Sequence, residues 1–116
     1  MPSPSEHDSR LYLEDMLRFC ERVLAYRGAM DMPALRADAM RFDAVLRNVE
    51  LIGEAATHVP DTVCAAHPDI PWRLVVATRN RLIHGHLGID DDTVWSIVSE
   101  DVPALRERLS ELLRTR

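Results

Sequence analysis

Apolar residues recur at three- and four-residue steps along most of the chain, which is the spacing of one face of an α-helix. The first such pattern runs from about Arg10 to Arg27, and Gly28 follows it as a helix-terminating glycine commonly does. Its apolar positions are Leu13, Met16, Leu17, Cys20, Val23 and Leu24. Residues 1–9 are mostly polar and include two prolines. We therefore predict a disordered leader over 1–9 and one helical domain over 10–116.

A second, longer helix is predicted from Met32 or Pro33 to His58, because proline suits the first turn of a helix. One apolar stripe on this helix consists of Leu35, Ala39, Phe42, Leu46, Val49 and Ala56. A second stripe, on another side, consists of Ala44, Leu51 and Ala55. Two stripes need two surfaces to cover them, namely the core and a further partner such as a second subunit. Gly53 lies in the first stripe, either as a point of close helix approach or as a merely tolerated glycine.

Prolines divide the remainder of the chain. Pro60 precedes a short helical turn over residues 61–67, with Asp61 or Thr62 as its expected cap. Two further prolines then separate this turn from a third long helix, predicted over residues 72 to about 84 and ended by glycine.

The last helix opens with three aspartates at 90–92, because carboxylates suit the positive N-terminal end of a helix. Pro103 is expected to kink it. Its apolar face consists of Val94, Trp95, Val98, Val102, Leu105, Leu109 and Leu112. The pattern as a whole predicts an all-α, up-and-down bundle of about four to five helices.

Composition supports this fold class and narrows the function. The 116 residues suffice for one domain, and aromatic residues are only 5%, which favours helix packing over a β-sandwich. No apolar run is long enough to cross a bilayer and no signal-peptide core is evident, so we expect a cytoplasmic protein without a membrane partner. Cys20 and Cys64 are then expected to be reduced packing residues.

The net charge of −5 argues against a protein whose main task is to bind duplex nucleic acid, because the nucleic-acid backbone is itself negatively charged. All fourteen basic residues are arginine. One basic island interrupts the acidic chain, and it holds Arg73, Arg79, Asn80, Arg81, His84 and His86. Any contact with RNA is therefore expected to be local and to involve this island.

Helical geometry sorts the island into two sides. At about 100° per residue, one side carries Trp72, Val76, Arg79, Ile83 and His86. Asn80 and His84 are neighbours on another side. Since Arg79 points into a largely apolar face, it needs a carboxylate, such as Glu50 or Glu54, or a bound anion such as phosphate. These two explanations are compatible.

His84 has two interpretations, because histidine is the side-chain type that exchanges protons near neutral pH. It is either a general acid or base or a histidine that interacts with the end of its helix. A metal site formed by His84, His86 and the aspartates at 90–92 lacks the ligand spacing of zinc proteins. Cys64, His67 and His58 likewise form an incomplete ligand set. We expect neither a metal nor a cofactor.

Several segments together resemble one family. The run Arg79-Asn80-Arg81-Leu82-Ile83-His84 is similar to the Arg-x-x-x-x-His signature of HEPN ribonucleases. The surroundings resemble the HepT-like family of that superfamily in Arg47-Asn48-Val49-Glu50-Leu51-Ile52-Gly53-Glu54-Ala55, in Pro71-Trp72-Arg73, in Leu82-Ile83-His84-Gly85, in Gly88-Ile89-Asp90 and in Trp95. Order and spacing agree from about residue 10 to 113.

The resemblance implies a HEPN-like helical bundle that forms a two-fold dimer, with the two motif helices meeting at a shared cleft. It implies metal-independent RNA cleavage, in which a ribose 2′-hydroxyl attacks the adjacent phosphate. His84 would then act as acid or base, Arg79 would stabilise the pentavalent phosphate, and Asn80 would orient either His84 or the phosphate.

Further roles follow from position and charge in the sequence. Arg73, Arg81 and His86 of the basic island would bind substrate, and Glu50 or Glu54 would support Arg79. The resemblance also implies the toxin of a toxin–antitoxin module, paired with a minimal nucleotidyltransferase antitoxin of the MntA type.

This chain departs from the family at residue 86. The family antitoxin attaches AMP to a tyrosine two residues after the motif histidine, and His86 occupies that position. An imidazole cannot form the same ester as a phenol, so control by tyrosine AMPylation is not expected there. The alternative function is a HEPN homodimer that binds a nucleotidyltransferase partner or a nucleotide without cleaving RNA.

Overall fold

The structure, a computed structural model, describes residues 6–85 and 89–115, and within these ranges all regular secondary structure is helical. The α-helices are α1 (Glu6–Arg27), α2 (Met32–Ala37), α3 (Ala39–Thr57), α4 (Asp61–Ala66), α5 (Trp72–Gly85), α6 (Asp91–Ser96) and α7 (Val102–Thr115). A turn of π-helix, Ile97–Asp101, joins α6 to α7. The predicted all-α fold is confirmed. Among the described helices, none is long and apolar enough to span a membrane.

The core is built around α3, which packs against both α1 and α5, while α7 packs against α1. Helices α1 and α3 are antiparallel: Tyr12 near the start of α1 stacks on His58 at the end of α3, and Arg41 near the start of α3 donates a 2.9 Å hydrogen bond to the carbonyl of Tyr26. Most of the predicted apolar positions of the first and last helices are buried, including Leu13, Met16, Cys20, Val23, Val94, Val98, Val102, Leu105, Leu109 and Leu112. Full burial of such side chains contributes roughly 1.5–3 kcal/mol each, so these helices are fixed by the core.

The first helix begins earlier than predicted. It starts at Glu6 rather than near Arg10, and Ser9 is buried. Arg10 donates hydrogen bonds of 3.5 Å to the carbonyl of Leu113 on α7, so the start of α1 is held by a tertiary contact that hydrophobic periodicity does not reveal. The predicted leader boundary is therefore wrong at residues 6–9, and residues 1–5 lie outside the described ranges.

The predicted second helix is two helices, because Asp38 breaks it. Its backbone (φ −102°, ψ 87°) is not helical, and its side chain accepts a hydrogen bond from the backbone N–H of Arg41 at 3.1 Å. Asp38 thereby caps the start of α3, a role for which aspartate is well suited. The buried side of α3 therefore differs from the predicted apolar stripe. Ala39 is exposed, whereas Val45 and Ile52, which the predicted stripe left out, are buried.

The second apolar stripe is also only partly correct. Ala55 is buried within the chain, so it offers no surface to a partner, while Ala44 and Leu51 are half-buried. The expected cap of α4 is wrong as well. Pro60 occupies the cap position and no side chain caps that helix.

The irregularity expected at Pro103 takes the form of the π-helical turn that precedes it. The N–H of Val102 bonds to the carbonyl of Ile97, five residues earlier. A proline ring collides with the carbonyl four residues before it in a regular helix, and a widened turn relieves such a collision. At the start of α6, Asp90 caps the helix by accepting a 2.7 Å hydrogen bond from the N–H of Thr93.

Candidate functional site

Helix α5 packs closely against α3 at Gly53. A Cβ atom on Gly53 would lie 2.1 Å from the Cβ of Arg79 and 3.1 Å from the carbonyl oxygen of Val75. Both distances are shorter than ordinary contacts between such atoms, so only glycine fits here. The close-approach interpretation of Gly53 is therefore correct, and the stem of Arg79 lies across bare α3 backbone.

The guanidinium of Arg79 is held on two sides. Its Nη2 lies 2.7 Å from Oε2 of Glu54, and its Nη1 donates a 2.9 Å hydrogen bond to Oδ1 of Asn80. The Nε atom is buried and has no hydrogen-bond partner among the described residues. The side chain is 29% exposed, so it is less buried than the sequence suggested. The result is a permanent positive charge that is both fixed and accessible.

Of the two carboxylates considered for Arg79, the structure selects Glu54. Glu50 forms a 3.1 Å ion pair with Arg47, one turn earlier on its own helix. Glu54 also lies near His58, whose Nε2 is 3.7 Å from its second carboxylate oxygen. Glu54 therefore supports Arg79, and Glu50 does not contact it through any described ion pair.

One side of α5 presents polar groups to solvent. Asn80 and His84 are exposed and one turn apart, and Arg73 and Asn80 line the same open groove between α4 and α5. Trp72 forms part of this groove, and its indole N–H is fixed by a 3.0 Å hydrogen bond to the carbonyl of His67. The structure thus places Arg73, Asn80 and His84 along one accessible stripe. Asn80, in the middle of this stripe, contacts the Arg79 guanidinium.

Arg81 lies on a different side of α5. It lines a groove with Asp90, Asp92 and Asp101, next to the start of α6. The pKa of Asp90 is lowered, chiefly by its hydrogen bonds from Thr93 and to a lesser extent by the charge of Arg81. Arg81 and Arg73, both predicted to bind substrate, therefore line different grooves of this chain.

His86 lies outside the described residues. Among residues 6–85 and 89–115, no group of three or more histidine, cysteine or acidic side chains is arranged to hold a metal ion. Burial raises the pKa of the Cys20 thiol to about 12, which keeps that thiol protonated.

Two residues beside the site were missed. From the sequence, His58 was interpreted only as part of an incomplete metal-ligand set, although its spacing of four residues from Glu54 is the spacing of neighbours on a helix. Tyr12, which stacks on His58, comes from α1 and carries no local signal for this contact.

Comparison with known proteins identifies the family of the chain. The family model "Ribonuclease HepT-like" matches residues 16–112. "Probable ribonuclease HepT" of Thermococcus cleftensis is 34% identical over 101 residues, which cover 87% of this chain and 92% of the relative. A protein of Methanocaldococcus jannaschii named as an RNase is 33% identical over 105 residues, covering 90% and 96% respectively. No solved structure gives a significant match.

Proposed function

This chain belongs to the HepT-like ribonuclease family, and from that premise we propose that it is a metal-independent endoribonuclease and the toxin of a toxin–antitoxin module. The observation that carries the proposal is the pairing of a fixed cation with an accessible imidazole on one helix. Arg79 is anchored by Glu54 and Asn80, and His84 is exposed one turn beyond Asn80. Glu54 holds the cation in place without enclosing it.

The proposed reaction is a transesterification. The 2′-oxygen of a ribose forms a bond to the adjacent phosphorus, and the bond from phosphorus to the 5′-oxygen of the next nucleotide breaks. The 2′-hydroxyl gives up its proton to a base, and the departing 5′-oxygen gains one from an acid. His84 fills one of these roles. Arg79 offsets the charge that accumulates on the non-bridging oxygens, as fixed cations do in phosphoryl transfer.

The reaction needs both a base and an acid, and one His84 fills only one of these two roles. In the proposed homodimer the other subunit supplies the second proton-transfer group. An exposed apolar side chain on α5 supports this part of the proposal. Leu74 is 50% exposed and lies on the helix that carries His84. A symmetric interface that pairs the two α5 helices through the side of Leu74 would cover this side chain and place one His84 from each subunit at a common cleft. Sedimentation showing only a monomer at micromolar concentration would contradict the dimer.

The proposed partner is a minimal nucleotidyltransferase antitoxin. The residue at the family's AMP-accepting position is His86, whose imidazole lacks a phenolic hydroxyl, so we expect no tyrosine-type AMP adduct there. Mass spectrometry after incubation with the cognate nucleotidyltransferase and ATP tests this. An AMP adduct on residue 86 would contradict it.

The proposed function is tested by RNA cleavage with purified protein in EDTA. Wild-type protein is expected to cut an RNA and to leave ends that carry a 2′,3′-cyclic phosphate. The same sequence with 2′-O-methyl groups is the matched substrate control, and it should stay intact because its 2′-oxygen has no proton to lose. Cleavage of the methylated strand, or no cleavage of the RNA, would refute the proposal.

A further inference from the structure

Three side chains connect α1 to the pair formed by Arg79 and Asn80, and they are Tyr12, His58 and Glu54. The Tyr12 ring on α1 stacks on the His58 imidazole, with the ring centroids 5.1 Å apart and the planes inclined by 18°. Nε2 of His58 lies 3.7 Å from Oε1 of Glu54, one turn earlier on α3. The other oxygen of that carboxylate, Oε2, lies 2.7 Å from Nη2 of Arg79. The carboxylate of Glu54 is therefore contacted at both oxygens by different residues.

Glu54 needs this second contact because its side chain is 49% exposed. An exposed glutamate in a single ion pair rotates readily into solvent, which is why such pairs contribute little to stability. A neighbour four residues later on the same helix is well placed to restrict that rotation. His58 is itself restricted, since it stacks against an aromatic ring from another helix.

From this geometry we infer that His58 is a positioning residue for Arg79. It keeps the Glu54 carboxylate turned towards the guanidinium, and Tyr12 keeps the imidazole in place. At 3.7 Å the two atoms are too far apart for a hydrogen bond, so the contact is electrostatic only while the imidazole carries a proton. The catalytic consequence of this inference rests on the proposed function, whereas the ordering of Arg79 does not.

The ordering is measured by ¹⁵N NMR relaxation of the Arg79 Nε–Hε group, which requires no catalytic activity. His58→Phe retains a ring that can stack on Tyr12 and removes the nitrogen that faces Glu54. Its Arg79 order parameter should fall towards the value of Glu54→Gln. The control His67→Phe changes a histidine at the end of α4 and should match the wild type.

A double variant separates positioning from general loosening of the helix end. If His58 acts through Glu54, adding His58→Phe to Glu54→Gln should cause no further loss of order, because the two residues then form one unit. An equal loss in both backgrounds would overturn the inference. So would a wild-type order parameter in either His58→Phe or Glu54→Gln.

RNA cleavage tests the consequence for the reaction. His58→Phe should lower kcat about two- to five-fold, the range expected for one exposed ionic contact, and leave KM near the wild-type value. A wild type that does not cleave RNA would refute the proposed function, and the NMR comparison would still decide whether His58 positions Arg79. Lost order with unchanged kcat would overturn the role in catalysis.

Discussion

The two sides of α5 differ in their surroundings, since one side packs against α3 and the other side faces solvent. The side that faces α3 is determined by packing, since Gly53 admits the stem of Arg79 where any larger residue would collide with it. The side that faces solvent carries Asn80 and His84, both exposed and neither needed to fill the core. Substitutions on the first side should therefore change stability first, and substitutions on the second side should change activity first.

Arg79 belongs to both sides. Its Cβ and Cγ pack over α3, whereas its guanidinium reaches Glu54 and Asn80 at the edge of the accessible stripe. The close packing of α5 on α3 thus fixes the position of the Arg79 guanidinium. The precision of this candidate site therefore comes from a missing side chain on the neighbouring helix.

The largest stability effect is expected for Gly53→Ala. The added Cβ would lie 2.1 Å from the Cβ of Arg79, so α3 and α5 must move apart. Overpacking of this kind costs about 1–3 kcal/mol of unfolding free energy, which exceeds the gain of about 1 kcal/mol in helix propensity. Chemical denaturation measures the change.

Gly85→Ala is the matched control for that variant. A Cβ on Gly85 meets no heavy atom of the described residues within 4 Å. Alanine there should leave stability unchanged or raise it. Equal behaviour of the two alanine variants would contradict a packing role for Gly53.

A smaller loss of stability is expected when Arg79 is shortened. Arg79→Ala removes both the stem over Gly53 and the ion pair with Glu54, and it should cost about 1 kcal/mol. Arg79→Met keeps most of the stem, so it should recover part of that loss in a denaturant titration. It should not recover RNA cleavage, because the charge is absent. Cleavage by the methionine variant would show that the cation is dispensable.

The next prediction compares the contributions of Arg73 and Arg81, two arginines of the basic island, to RNA binding. Arg73 lines the groove that contains Asn80, whereas Arg81 lies beside the acidic start of α6. Arg73→Ala should weaken RNA binding about two- to five-fold, as expected for one exposed ionic contact. Arg81→Ala should weaken it less, and filter binding at fixed salt compares the two. A larger loss with Arg81→Ala would reverse our assignment of the accessible stripe.

The smallest effect is expected at the start of α6. The pKa of Asp90 is lowered in the folded protein, so its stabilising contribution is present above its ordinary value of 3.8 and is lost as the pH falls through the lower folded value. Asp90→Ala should therefore melt slightly below the wild type at pH 7, and the gap should close at strongly acidic pH. A gap that persists at pH 2 would argue against the cap.

Local sequence patterns predicted much of the fold and only part of the site. Apolar periodicity located the faces of α1 and α7, because their buried residues follow a regular helical repeat. It did not locate the buried side of α5, where Leu82 is buried and Ile83, which was placed on the apolar side, is 42% exposed. It failed between α2 and α3, where the Asp38 side chain competes with the helix for a backbone N–H. The start of α1 was missed because a hydrogen bond to α7 holds it, and apolar periodicity does not report such a contact.

In the site, the motif residues were identifiable from the sequence, and their neighbours were identifiable only in part. A contact of Arg79 with Glu50 or Glu54 was expected from charge and burial, and the structure selects Glu54. The acidic neighbours of Arg81 depend on where α6 begins relative to α5. The link from Tyr12 through His58 depends on the packing of α1 against α3, which local spacing does not encode.

The most direct test of the account measures RNA cleavage and thermal unfolding on one preparation of His84→Ala. His84 is exposed, so its replacement should leave the melting temperature at the wild-type value. Loss of a general acid or base should reduce the cleavage rate by about 10²–10⁴-fold. Wild-type cleavage by this variant, or loss of its folded structure, would contradict the claim that the outward side of α5 carries the chemistry.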